Sequence, residues 1–216
     1  MLIVPDSLHP CPLCNSASTV FYQYKKRLYH KCSNCFGIFV DKSLILDRKA
    51  EKLRYEEHNN DVNNANYQQF VSPITNAIIN KHNTDDQGLD FGAGTGPVIA
   101  KVLGDNNFNI ALYDPFFHNQ PEILEDKYDY IACCEVIEHF HDPHKEFTLL
   151  KKLLKKGALL YCMTDLYNED IDFHKWYYKN DPTHVFMYQA NTIHWLQQKY
   201  EFSDVKIDGR LITFSN

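Results

Sequence analysis

No stretch of this 216-residue chain is apolar over the length needed to cross a bilayer, and its start shows no basic segment leading into an apolar core and a cleavage site. Both absences lead to the expectation of a soluble, cytoplasmic protein with no membrane partner. Positive charge is scarce. Lysine and arginine number 22 against 28 aspartates and glutamates, and the net charge of -6 disfavours generic nucleic-acid binding, whose affinity is largely electrostatic. Repeats are lacking, and low complexity is confined to the polar run from Asn59 to Asn66. The remainder, 44% hydrophobic and 23% charged, suffices for one α/β core and a small appended module.

An even set of cysteines is also missing, since seven leave one unpaired in any disulfide scheme. Cys11-Pro12-Leu13-Cys14 and Cys32-Ser33-Asn34-Cys35 instead match a four-thiolate zinc ribbon, because thiolates at this spacing can ligate one tetrahedral ion. So small a module has too little core to fold without a metal. Between the knuckles, Phe21 to Tyr24 and Leu28 to His30 alternate as hairpin strands about a Lys25-Lys26 turn. Lys25, Lys26, Arg27 and Lys31 gather there, although a solvated hairpin would carry such charges anyway. Cys133, Cys134 and Cys162 fall in apolar runs and read as inert core thiols, which implies a reducing compartment.

The dinucleotide fingerprint G-x-G-x-x-G is absent as well. Leu89-Asp90-Phe91-Gly92-Ala93-Gly94-Thr95-Gly96-Pro97 reads D-x-G-x-G-x-G: an apolar strand, a tight turn stripped of side chains, and a helix start at Pro97. Asn109 to Tyr113 form a second strand ending at Asp114 and stopped by Pro115, about one βαβ unit downstream. A carboxylate there can accept hydrogen bonds from both hydroxyls of a ribose. Tyr128 to Phe140 read as a buried central strand entering a functional loop. Asp142 caps and Pro143 starts a helix bearing Phe147, Leu149, Leu150, Leu153 and Leu154, closed by Lys155, Lys156 and Gly157. Ala158 to Met163 give another strand, and the Asp208-Gly209 turn joins Asp204 to Ile207 with Arg210 to Phe214 as a hairpin.

Over roughly residues 60 to 216 this arrangement resembles the class I S-adenosylmethionine-dependent methyltransferases. The resemblance implies an α/β fold with a Rossmann-like, mostly parallel sheet, a C-terminal antiparallel hairpin and a small N-terminal zinc ribbon. Residues 116–121 leave little room for the family's third strand. The implied division is 1–42 ribbon, 43–84 helical connector or lid, and 85–216 cofactor-binding domain. In the implied cofactor site, Asp90 faces the amino group and Phe91, Gly92, Ala93, Gly94 and Gly96 lie against the methionine half. Asp114 and Pro115 stand at the ribose, Cys134 and Glu135 stand at the cofactor edge, and Phe116 or Phe117 covers the adenine. Tyr55, His58, Asn59, Tyr67 and Phe70 fall where relatives place a closing segment, although a plain connector fits equally.

Glu138, His139 and His184 are the catalytic candidates. Glu135, Glu138 and His139 form E-x-x-E-H, and with the later His184 the pattern is similar to two metal-dependent branches, the ubiquinone-pathway O-methyltransferases and the small-RNA 3′-end 2′-O-methyltransferases. Carried over, Glu135, Glu138, His139 and His184 would hold a second divalent ion besides the ribbon zinc. In metal-free relatives the same glutamate and histidine only shape the pocket. The aromatic segment from Asp165 to Val185, with Phe173, Trp176, Tyr177 and Tyr178, is expected to shape the acceptor site. Three functions stand open: O-methylation of a small hydroxylated, sugar- or quinol-like metabolite; RNA methylation with the ribbon docking nucleic acid; and a non-catalytic zinc-ribbon adaptor.

Overall fold

The computed structural model describes residues 9–57 and 60–216 and contains two sheets. A six-stranded sheet takes the order β5 (Ile110–Tyr113), β4 (Gly88–Phe91), β6 (Tyr128–Cys134), β7 (Leu154–Met163), β10 (Leu211–Ser215), β9 (Asp204–Asp208). Its first four strands are parallel, while β10 runs antiparallel to β7 and β9. The expected α/β architecture is therefore the one adopted.

Strand pleating sorts residues onto two faces. Tyr130 and Ala132 of β6 face α2 (Ala65–Lys81) and α3 (Val98–Asp105), where Val71, Ile74 and Ile78 meet Val98, Ile99 and Leu103. Ile131 and Cys133 face the other way, onto Phe147, Leu150 and Leu153 of α4 (Pro143–Leu153) and Ile193 and Leu196 of α5 (Ala190–Lys199). The i, i+3, i+7 spacing in α2 supplies its buried stripe, and Asn64 starts the helix by accepting from the backbone N–H groups of Asn66 and Tyr67.

Two expectations about the sheet meet the structure differently. Between Asp114 and Tyr128 the described chain makes a bridge to His118 and a 3₁₀ turn at Pro121–Glu125 but no strand, so β5 is an edge. Lys155 to Gly157 do not close α4. They already belong to β7, because Leu154 pairs with Tyr128 and the Lys155 ammonium lies 2.7 Å from the Asp129 carboxylate. Gly157, at φ +79, lies in the stretch where the β6–β7 register shifts.

The N-terminal module is a second sheet in the order β1 (Ser18–Tyr24), β2 (Arg27–Cys32), β3 (Ile38–Val40), β8 (Phe186–Met187). The first two strands form the expected hairpin, with Lys25 at φ 54 in its turn. Its fourth strand comes from nearly 150 residues downstream, which sequence spacing does not reveal. The Arg27 guanidinium reinforces the junction by donating to the carbonyls of Asp181, Pro182 and His184 at 2.9, 3.1 and 2.7 Å. A third core cluster joins Tyr29, Ile38 and Val40 to Tyr167, Phe173, Trp176, Tyr178 and Met187, so the aromatic 165–187 segment is the glue of this contact. Among the described residues no helix is long and apolar enough to cross a membrane.

Phe186 is fully buried between Phe39 and Tyr188, and a Cβ on Gly37 would come within 2.2 Å of its ring. Phe186→Ala is expected to lower unfolding stability by about 3–5 kcal/mol in urea titrations, the cost of a large aromatic cavity.

Candidate active site

The glycine loop after β4 is shaped by backbone needs. Gly92 and Gly94 sit at φ +87 and +63, and a Cβ on Gly92 would strike Val136 at 2.4 Å. The N–H groups of Gly92 and Ala93 donate to the Tyr113 carbonyl, which ties the loop to the end of β5. Asp114 completes the tie: Oδ2 accepts from the Gly94 N–H at 3.0 Å, and Oδ1 accepts from those of Phe116 and Phe117 at 2.8 and 3.0 Å.

A cleft of about 790 Å³ opens along this edge, lined by Phe91, Gly92, Ala93, Gly94, Asp114, Pro115, Cys134 and Glu135 among others. Two residues expected there are elsewhere. Asp90 is buried beneath the loop, where a backbone hydrogen bond from Ala100 of α3 reaches it, and Gly96 lies under the Asn60 carbonyl. Burial first, and the neighbouring Asp114 charge second, push the Asp90 carboxyl up to about 7.

The helix α1 (Arg48–Glu56) borders the cleft. Arg48 donates to the Pro115 carbonyl at 2.8 Å and lies over the Phe116 ring, while Arg54 pairs with Asp181 at 2.8 Å. Buried Glu51 accepts from the Tyr55 hydroxyl at 2.8 Å and lies 3.4 Å from His141 Nε2. Tyr55 meets Phe116 and His139 edge to face, and Asn60 donates to the Thr95 hydroxyl at 3.3 Å. His58 and Asn59 lie outside the described residues.

At the end of β6, Glu135 takes a left-handed φ of 52 and starts the E-x-x-E-H turn. Its Oε1 is held by Arg210 at 2.5 Å, and its Oε2 accepts from the Tyr178 hydroxyl at 3.3 Å. Glu138 has no exposure to solvent and does not line the cleft; Thr164 donates to its Oε2 at 3.1 Å and the Tyr178 hydroxyl makes a short bond to its Oε1. Burial, then the Glu135 charge, push Glu138 up to about 8. His139 and His184 do line the cleft, with ring centroids 4.8 Å apart. Each ring is fixed through Nδ1 against a carbonyl, of Thr183 at 3.0 Å and of Tyr178 at 2.7 Å, and each Nε2 stands 4.0 Å from Glu138 Oε1. Glu138, His139 and His184 could thus hold a metal ion, whereas Glu135 does not join them. Tyr178 and Arg210, which organise the two glutamates, carry no motif and were legible only as an aromatic in a loop and a residue after a turn.

The four ribbon cysteines converge, with Cys11 and Cys35 sulfurs 3.5 Å apart and those of Cys14 and Cys32 at 3.3 Å. All are free thiols, paired across the knuckles rather than within them. Cys32 accepts from Cys11 and Cys35 and from the backbone N–H groups of Asn34 and Cys35, interactions that hold its thiol low. Four sulfurs at these separations suit one tetrahedral thiolate-bound ion.

A doubly covered, mainly parallel sheet with its glycine-loop cleft at the strand ends defines a Rossmann-like methyltransferase fold. The family model for the methyltransferase domain matches residues 43–207, and the chain belongs to that family. No curated protein matches it significantly. Among solved structures, it is similar to a putative O-methyltransferase from Nostoc punctiforme (16% identity, TM-score 0.53, covering 70% of this chain and 56% of that one). Human N-acetylserotonin methyltransferase in complex with SAM gives 12% identity and TM-score 0.54, covering 78% and 57%. Burkholderia thailandensis 1,6-didemethyltoxoflavin-N1-methyltransferase, with its namesake ligand and S-adenosylhomocysteine, gives 13% and 0.54 over 91% and 98%. The chain thus spans less than two thirds of the Nostoc and human chains. At these identities the likeness is one of fold.

The raised Asp90 value has a checkable consequence. The native state keeps this proton to higher pH than the unfolded chain, so stability at this site is lost as pH rises from about 4 to about 7. Asp90→Asn escapes the loss. Urea titrations should show the stability difference moving in favour of the variant by up to about 4 kcal/mol between about pH 4 and pH 8.

Proposed function

We propose that the chain is an S-adenosylmethionine-dependent methyltransferase that O-methylates a small hydroxylated metabolite, and that its four ribbon cysteines hold a structural zinc ion. One observation carries the reading: the glycine loop, Asp114 and the His139–His184 pair all line the same cleft of about 790 Å³. That volume suits a cofactor with a compact acceptor rather than a polymer. Gly92, Ala93 and Gly94 would lie against the amino-acid half, Asp114 would receive the ribose, and Phe116 and Phe117 would flank the base. When bound, the cofactor supplies an electrophilic methyl group on sulfur.

The chain's own task is to position the acceptor and take its proton. With Nδ1 of both histidines committed to carbonyls, Nε2 is the atom that receives a proton from an acceptor hydroxyl. Buried Glu138, 4.0 Å from both Nε2 atoms, keeps its proton until a neighbouring imidazolium forms and favours its charged form, and Tyr178 and Thr164 hold it there. The structural likeness to a putative O-methyltransferase and to an N1-methyltransferase of a small molecule agrees with a small acceptor. The ribbon's basic residues give RNA little support, since Arg27 is spent on three carbonyls and Lys31 pairs with Glu169.

A metal-assisted variant of the same reaction is favoured by one geometric fact, the convergence of Glu138, His139 and His184 ligand atoms within 4.8 Å. Such an ion would lower the pKa of the acceptor hydroxyl instead of leaving the work to a histidine.

His139→Ala and His184→Ala are each expected to lower kcat by about 10²-fold or more, with S-adenosylmethionine affinity within about twofold in calorimetry. Unchanged turnover in both would discard the assignment, and failure of the wild type to bind the cofactor would discard the enzyme. Loss of turnover on chelation that spares thiolate-bound zinc would select the metal-assisted form; retention would select the histidine base.

A further inference from the structure

Each C-x-x-C knuckle has a histidine two residues ahead of its first cysteine, His9 before Cys11 and His30 before Cys32. The fold brings both to Asp41, the residue after β3. His9 Nδ1 and His30 Nε2 each lie 3.3 Å from Asp41 Oδ2, and the three ligand atoms fall within 4.8 Å of one another. Nitrogen and oxygen ligands at about 2.0–2.1 Å from a tetrahedral ion are separated by about 3.3 Å from each other, so two edges of this triangle already have the ligand spacing.

The surroundings hold the three groups in place. Asp41 Oδ1 accepts from the Ser43 N–H at 3.0 Å and from its hydroxyl at 2.6 Å, which fixes the carboxylate plane and leaves Oδ2 to the histidines. His30 is buried, its ring stacked between His9 at 4.2 Å and Phe39 at 5.5 Å. His9 and Asp41 line a cavity of about 1150 Å³ whose lining also includes His144 of α4 and Trp195 and Lys199 of α5, separate in its walls from the cleft except at Phe140 to Asp142.

We propose that His9, His30 and Asp41 bind a divalent transition-metal ion of the zinc class, apart from the thiolate site, with its remaining position open to this cavity. Two imidazoles and one carboxylate select a borderline ion, because calcium and magnesium demand mainly oxygen ligands. Three protein ligands leave a position for water or an oxygen donor from the cavity, the pattern of an exchangeable rather than a closed structural site.

The test uses the full chain carrying His139→Ala and His184→Ala, so that the catalytic cluster cannot contribute. After mild chelation that leaves thiolate-bound zinc in place, the protein is titrated with Co²⁺ and followed by calorimetry and visible absorption. One equivalent is expected to bind with d–d bands and without thiolate charge-transfer bands. Adding His9→Ala or Asp41→Asn should weaken this uptake at least about tenfold. The His9 side chain is 39% exposed, so its removal leaves the core intact, and far-UV circular dichroism checks the fold of both variants. No uptake, uptake with charge-transfer bands alone, or uptake unaffected by either substitution would overturn the site.

Discussion

Two short pairings, Ile38 with Met187 and Phe39 with Phe186, transmit the position of the N-terminal module into the cleft. His184 comes just before this ladder. The Val40 N–H donates to the Val185 carbonyl, and the Val185 N–H donates to the Glu138 carbonyl, so a line of backbone hydrogen bonds runs from the ribbon's last strand to the E-x-x-E-H turn. Arg27, by gripping three successive regions of the 181–184 loop, prevents that loop from pivoting about the line. The orientation of His184 toward His139 therefore depends on a sheet whose other three strands lie at the start of the chain. A ribbon that merely hung from the catalytic domain would need none of these bonds.

The physical cost of this arrangement is visible in the 165–187 segment. It is long and nearly devoid of regular structure, yet Tyr167, Phe173, Trp176 and Tyr178 are buried. A loop stays ordered under those conditions only when its aromatic rings have a surface to cover, and the ribbon's Tyr29, Ile38 and Val40 supply it. Tyr178 then does two things at once. Its ring packs in this cluster, and its hydroxyl reaches Glu135, Glu138 and Thr164. Module docking and carboxylate placement are thus one packing problem.

What the sequence made legible follows from the range of the interactions. The glycine loop, Asp114, the C-x-x-C pairs and the terminal hairpin are local devices, written in a few adjacent residues. Each is formed, the hairpin with its turn at Gly209-Arg210, one residue later than the Asp208-Gly209 pair suggests, because Asp208 pairs with Leu211. Two local readings missed their mark. Lys155 to Gly157 look like a helix end, but strand pairing with Tyr128 and the Asp129 ion pair draw them into β7. Asp90 looks like a ligand-facing acid, but it falls beneath the glycine loop, near the start of α3. The non-local features were silent: β8 is two residues long, Arg210 holds Glu135 across 75 positions, and Asn60 roofs Gly96 from the other side of a helix. No periodicity announces contacts of that kind.

The cleft's acids are arranged by a common rule. At the β4 and β5 ends, Asp114 collects three backbone N–H groups while its neighbour Asp90 is left under burial and pushed up to about 7. After β6, Glu135 takes Arg210, while Glu138, bonded by the neutral hydroxyls of Thr164 and Tyr178 and wholly buried, is pushed up to about 8. At Asp90 and Glu138 complete burial comes on top of a neighbouring acid's charge, so these two become stores for a proton. The two stores titrate near neutrality, where a modest change in local potential moves them. A cation entering the cleft would draw both toward the charged form, which couples their protons to what the cleft holds.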